Sequence, residues 1–346
     1  MKIKNRRFLL LLPVSLLIAG CNSPVSAKDA SVALSKAYTQ MLDTVVDGIT
    51  LDQTLKGTID IKNFEDGSET ATNSIYIDGE ESFSFKGVDL LGDAPQASLS
   101  ITGKGSATVD TSETSVDEEI NAYYSEGVIY GDVSKAISIQ QLEPALEANP
   151  KFKVQAGLLK DFMGVEGEVT VRDLMETMGE MELPTAEEMS SSAEEFFGGF
   201  SGFSATTVSG GTKISLKVNN DTITDYIVSM YTKDIDMSSI PSYVSFDIDA
   251  LREEAAAMVD AYGSFDLTLY VVLTGDTLSE ISFNADLDLA IPDSSGKVYT
   301  AEDVASVFEG VKIKANIEFS IKLDMNATPT ITLPTDLDTY TMIQDN

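Results

Sequence analysis

Thirteen consecutive residues near the C-terminus, Val311 to Leu323, alternate without a break. Val311, Ile313, Ala315, Ile317, Phe319, Ile321 and Leu323 are apolar, and Lys312, Lys314, Asn316, Glu318, Ser320 and Lys322 stand between them. Successive side chains of a strand point to opposite faces, so this run is a strand about 43 Å long with one dry face and one wet face. Most strands have five or six residues; one this long requires a broad, strongly curved sheet to lie in.

Two more such runs precede it. Phe265, Leu267, Leu269, Val271 and Leu273 share a face of the first; Ile281, Phe283, Ala285, Leu287, Leu289 and Ile291 share a face of the second. A period of two also governs Leu51 to Asp132, where Glu65-Asp66-Gly67-Ser68 has hairpin-turn residues and five or six antiparallel strands are expected. The period becomes helical between Ser134 and Phe200. Val171, Leu174, Met175, Met178 and Met181 fall on one face, as do Met189, Ala193, Phe196, Phe197 and Phe200, and Thr185 and Glu188 are spaced as a capping box. A hairpin over 203–218 and helices over 220–262 follow, the first with Ile223, Tyr226, Ile227, Met230 and Tyr231 as its apolar face; a separate helix is expected over Ser31 to Val46. Runs of consecutive strands, unlike a strand–helix alternation, favour antiparallel pairing and an α+β fold.

The N-terminus is an address. Lys2, Lys4, Arg6 and Arg7 precede an apolar stretch from Phe8 to Ala19, as in a signal peptide. Twelve helical residues rise only about 18 Å, too little to cross a hydrocarbon core about 30 Å thick. The stretch closes on Ile18-Ala19-Gly20-Cys21, which resembles the bacterial lipobox. That resemblance implies cleavage after Gly20 and a diacylglycerol on the Cys21 thiol; the alternative is an ordinary secretory signal followed by a chance cysteine. Residues 22–30 then read as a polar tether. Buried acyl chains contribute about 0.8 kcal/mol per methylene, so two or three hold such a protein at the membrane.

Composition narrows the functions. Residues 1–20 carry four basic residues and no acidic ones, so their removal takes the net charge from −33 to −37. Such a chain repels nucleic acid and anionic headgroups, and no nucleic-acid partner is expected. Cys21 is the only cysteine and there is no histidine, which removes Ser-His-Asp and Cys-His catalysis and the usual zinc sites. Asp234 with Asp236, Asp247 with Asp249, and Asp286 with Asp288 lack the spacing of a calcium loop. Ser294-Ser295-Gly296-Lys297 matches a Ser-x-x-Lys string without its partner motifs. No enzyme, metal or cofactor is expected.

The lipobox, the long amphipathic strands around internal helices, the phrase Ala122-Tyr123-Tyr124-Ser125-Glu126-Gly127-Val128-Ile129-Tyr130 and the ending Ile331-Thr332-Leu333-Pro334-Thr335-Asp336-Leu337-Asp338-Thr339-Tyr340 together resemble a group of bacterial envelope lipoproteins. Their fold is similar to that of the lipoprotein-carrier and mycobacterial lipid-binding lipoproteins. The resemblance implies a large curved antiparallel sheet, an unclosed half-barrel of about ten or eleven strands with helices on its concave face. Residues 1–20 would be the signal peptide, 21–30 the lipidated tether, and 31–346 a single half-barrel domain. It also implies an apolar cavity, with Met175, Met178, Met181, Phe196 and Phe197 as lining candidates. An amphipathic helix on a sheet needs such a face in any case, so the same residues equally serve to close a core.

The expected function is therefore a membrane-anchored extracytoplasmic lipoprotein that binds a lipid or other apolar ligand. The alternative is a structural or protein-interaction lipoprotein of the cell surface. Asn22 after the cysteine is not an aspartate retention signal, so the outer membrane is open to it in a two-membrane bacterium, and the outer leaflet of the plasma membrane otherwise. The sequence names no protein partner.

Overall fold

The computed structural model describes residues 26–65, 67–70, 74–142, 144–155, 170–173, 184–197, 201–208, 211–232, 247–292 and 308–343. In chain order these form α1 (Ala27–Leu42), β1 (Ile49–Glu65), β2 (Ser68–Glu69), β3 (Ile75–Val88), β4 (Gln96–Val109), β5 (Ser112–Ser125), β6 (Val128–Asp132), α2 (Ile137–Leu142), α3 (Pro144–Ala148) and β7 (Lys151–Gln155). Then come α4 (Ala186–Phe197), β8 (Phe203–Val208), β9 (Gly211–Asn219), α5 (Asn220–Thr232), α6 (Ile248–Ala261), β10 (Gly263–Thr274), β11 (Thr277–Pro292), β12 (Gly310–Asp324) and β13 (Thr341–Met342).

All the described strands belong to one sheet of thirteen, in the order β13-β7-β6-β5-β4-β3-β1-β12-β11-β10-β9-β8, with β2 paired to β1. The two ends of that order do not meet, so the sheet is curved and unclosed, and the fold is α+β. Two meanders of neighbouring strands are joined where β1 lies antiparallel to β12, from Thr50 against Asp324 to Phe64 against Gly310. Among the described strands, only β13 runs parallel to its neighbour, β7.

The register keeps the alternation of every long strand in phase, as a one-residue slip would turn a whole strand inside out. Ile281, Ile321, Gln53, Phe83, Ile101 and Ile120 stand side by side on one face. The other face carries cross-strand polar pairs: Lys56 to Glu318 at 2.7 Å, Lys314 to Asp288 at 2.5 Å, Lys217 to Asp266 at 2.9 Å. In the middle of the apolar face Gly57, Gly79 and Gly105 are aligned on β1, β3 and β4. The backbones pass so closely there that a Cβ on Gly57 would meet Asn316 O at 2.1 Å, and one on Gly105 would meet Asp78 O at 2.4 Å.

The dense core lies at one end of the sheet. Leu269, Val271 and Leu273 of β10, with Ile214 and Leu216 of β9, are buried against Ala30, Leu34 and Ala37 of α1 and Ala193 of α4. Helix α1 starts on Ser26, whose Oγ accepts from Asp29 N, and it ends four residues earlier than the expected Val46. Val46 instead leaves the helix to pack with Leu90 and Met325 at the rim of the sheet. The capping box of α4 is present: Thr185 Oγ1 accepts from Glu188 N at 3.2 Å, and Thr185 N donates to Glu188 Oε2 at 2.9 Å.

Two readings are corrected. Lys151–Gln155, inside the span read as helical, is a strand on β6, because its alternation is too short to register against the helical period around it. Helix α5 buries Thr222, Thr224 and Val228, leaving Met230 and Tyr231 exposed. Thr222 and Thr224 are bonded to the carbonyls of Asn219 and Asn220, which satisfies their hydroxyls and lets that side of the helix face inward.

Candidate functional site

Among the described residues, helices α1 and α4 pack on the β8–β11 end of the apolar face, which runs on past them. The row Ala315, Ile59, Ile77, Ala107 and the row Ile313, Ile61, Ile75, Val109 are apolar across β12, β1, β3 and β4, and they end on β5 at Thr114 and Ser112. Exposure separates the two regions. Leu55 is 36% exposed, Ile77 41%, Val116 44% and Val109 48%, against 0% for Val271 and 2% for Leu273. A contiguous apolar face left half open is the kind of surface on which another molecule can bind.

Polar residues interrupt that face: Gln53 on β1, Thr114 and Ser112 on β5, and two acids. Glu81 and Glu118 occupy inward positions at the level of Leu55. Glu118 accepts from both the backbone N (2.7 Å) and Oγ (2.6 Å) of Ser138, and so caps the start of α2 and draws it over β5. The acid thus has a structural partner within the apolar face.

The far edge of the sheet is held by a C-terminal strap. After β12 the chain crosses to β6 and β7, where the ring of Tyr340 is buried against Tyr130. Lys151 Nζ reaches Asp336 at 2.7 Å and Asp132 at 3.4 Å, and lies 5.6 Å from the Tyr340 ring centre. Burial raises the phenols of Tyr340 and Tyr123 above their ordinary value, and Asp132 adds to both. Burial also opposes ionisation of Asp132, but two hydrogen bonds from Ser134 and the charge of Lys151 outweigh it, so this carboxyl lies below the ordinary value. The bond between Lys151 and Asp336 lowers the acid and raises the amine.

The residues singled out from the sequence fare differently. Ile18, Ala19, Gly20, Cys21, Met175, Met178 and Met181 lie outside the described residues. Phe196 and Phe197 form the last turn of α4, and their side chains are likewise outside the description. Met189 and Ala193, on the same helical face, are buried at 3% and 1%; Met189 packs against Tyr38 and Leu42, so this part of the face closes a core. The open residues of the sheet's apolar face are instead on the strands. Their alternation told which face they share, but not that the helices would stop short of them. Among the described residues no group of acidic side chains is arranged to hold a metal ion. Asp247 caps α6 and Asp288 pairs with Lys314. No described helix is long and apolar enough to cross a membrane.

No protein-family model matches the chain, and no curated protein matches it. Among solved structures the chain is similar to LprF from Mycobacterium bovis, at 12% identity over 89% of this chain and 96% of that one, with a TM-score of 0.22. It is also similar to an outer membrane channel from Pseudomonas putida F1, at 8% identity over 82% and 98% of the two chains, with a TM-score of 0.20. TM-scores this low do not establish a common fold.

Proposed function

We propose that the protein is a lipid-anchored lipoprotein of the cell envelope, held by Cys21, whose sheet binds an acyl chain or another apolar ligand along the open face of β12, β1, β3, β4 and β5. The observation that carries this reading is the half-exposed apolar surface of Leu55, Ile77, Val109 and Val116, continuous with a face that is sealed elsewhere by helices. The ligand lies along the sheet, and every methylene it covers contributes about 0.8 kcal/mol. A chain without histidine, whose one thiol is committed to lipid, acts here as a binder and not as a catalyst. The anchor is its contact with the membrane, since its acidic surface gives no electrostatic attraction to anionic headgroups.

Native mass spectrometry of the protein purified from its own envelope tests both parts. The expected result is a mature chain beginning at a diacylglyceryl-modified Cys21, with an apolar adduct that organic extraction removes. A clean apoprotein mass, together with no binding of a fluorescent fatty acid, defeats the ligand. An unmodified Cys21 in the mature chain defeats the anchor.

A further inference from the structure

On the opposite, polar face described residues line a cavity. It has a volume of about 480 Å³ and lies over the glycine row. Its lining consists of those glycines and of the positions that alternate with them, so it opens away from the apolar surface. One wall is Glu318, Lys56, Glu80 and Lys104, side by side on β12, β1, β3 and β4; the other is Asn316, Thr58, Asp78 and Ser106 on the same strands. Four strands spaced by about 4.8 Å give a groove roughly 14 Å long.

Its charges nearly balance. Two ammonium groups face three carboxylates, so the groove is close to neutral in a chain whose net charge is −33. Lys56 is already bound to Glu318 at 2.7 Å, and Lys104 reaches Asp117 at 3.7 Å, outside the groove. A polyanion would meet no free excess of positive charge, and a metal cation would meet two lysines. What the walls offer is alternation: acceptor, donor, acceptor, donor along one, and amide, hydroxyl, carboxylate, hydroxyl along the other. Vicinal hydroxyls, each donating and accepting, are the chemistry that satisfies such a pattern without changing any charge.

We propose that this groove binds a short neutral oligosaccharide by hydrogen bonds across the strands. No aromatic ring lines it, so stacking adds nothing and the affinity is modest. The site is separate from the apolar face and does not rest on a lipid being bound there.

The test is isothermal titration calorimetry of the full-length protein, held in a sugar-free detergent, with cellotetraose and with N-acetylated chitotetraose. Saturable binding of at least one sugar is expected, weakened about tenfold or more when Thr58→Trp or Ser106→Trp fills the groove. Glu80→Ala, on an exposed side chain, gives the same loss should a Trp variant fail to fold. Fluorescent fatty-acid binding stays unchanged in all three, which keeps this site distinct from the apolar one. No heat of binding with either sugar overturns the proposal, as does sugar binding that survives these substitutions in folded protein.

Discussion

The ring of Tyr340 stands edge-on to the ring of Tyr130, with centroids 5.7 Å apart and planes at 80°. Tyr130 ends one of the two phrases singled out in the sequence and Tyr340 ends the other. Their meeting, with the ion pair of Lys151 and Asp336, helps attach the C-terminal strap to the far edge of the sheet, because the β13–β7 pairing beside it spans only Thr341 and Met342.

Removing that ring should loosen the strap. Tyr340 is 3% exposed, and Tyr340→Ala is expected to cost about 3 kcal/mol, as truncation of a buried aromatic does. Tyr340→Phe keeps the ring and should cost much less. Urea unfolding of the two variants measures the difference, and equal losses would show that the ring contact is not what holds the strap.

Acid should loosen it too. Asp132 and Asp336 have carboxyls lowered in the folded protein, so their stabilisation is present above the unfolded carboxylate value near 3.9 and is lost as pH falls through the lower folded value. Lys151, whose amine is raised, contributes fully below its unfolded value and loses its contribution only as pH rises through the folded one. Hydrogen exchange of residues 336–343 is therefore expected to accelerate below about pH 4, relative to the β10–β11 core, and Lys151→Met should bring the same acceleration at neutral pH.

Neighbouring glycines of β4 should respond oppositely to a methyl group. Gly105→Ala places its Cβ 2.4 Å from Asp78 O and 2.8 Å from Gly79 Cα, both backbone atoms, whereas a Cβ at Gly103 meets nothing within 4 Å. A loss of about 2 kcal/mol or more is expected for Gly105→Ala. Gly103→Ala should be neutral or stabilising by about 0.5 kcal/mol, because it restricts the unfolded chain. Denaturant midpoints decide it.

The two regions of the apolar face should separate stability from binding. Leu273→Ala in the sealed region is expected to cost about 3 kcal/mol. Ile77→Asp in the open region should cost about 1 kcal/mol or less yet reduce fluorescent fatty-acid binding about tenfold, since it puts a charge where the ligand lies. Full fatty-acid binding by Ile77→Asp would place the ligand elsewhere.

Much of the fold was legible because its signals are local. Thr185 and Glu188 cap α4 through bonds only three residues apart, Gly67 takes a φ of +74° in the turn it was expected to make, and the alternation of β10, β11 and β12 is carried by each strand alone. The open apolar site was not legible. The sequence directs attention to Met- and Phe-rich helical faces, yet Met189 turns out to close a core and Met230 to be exposed. Helical period tells which residues share a side, and the neighbour that side meets is set by distant parts of the chain.

The sequence by itself determined three things about this protein: sheets with one dry and one wet face, a single thiol at Cys21, and a complete lack of imidazole chemistry. Each follows from residue identity or from spacings of two to four. Tertiary structure alone decided that β1 lies against β12, that the ring of Tyr130 meets that of Tyr340, and that α1 and α4 stop short of Ile77 and Val109. Backbone hydrogen bonds between strands are nearly indifferent to side-chain identity, so pairing partners this far apart in the chain emerge only when the whole apolar face is brought into register.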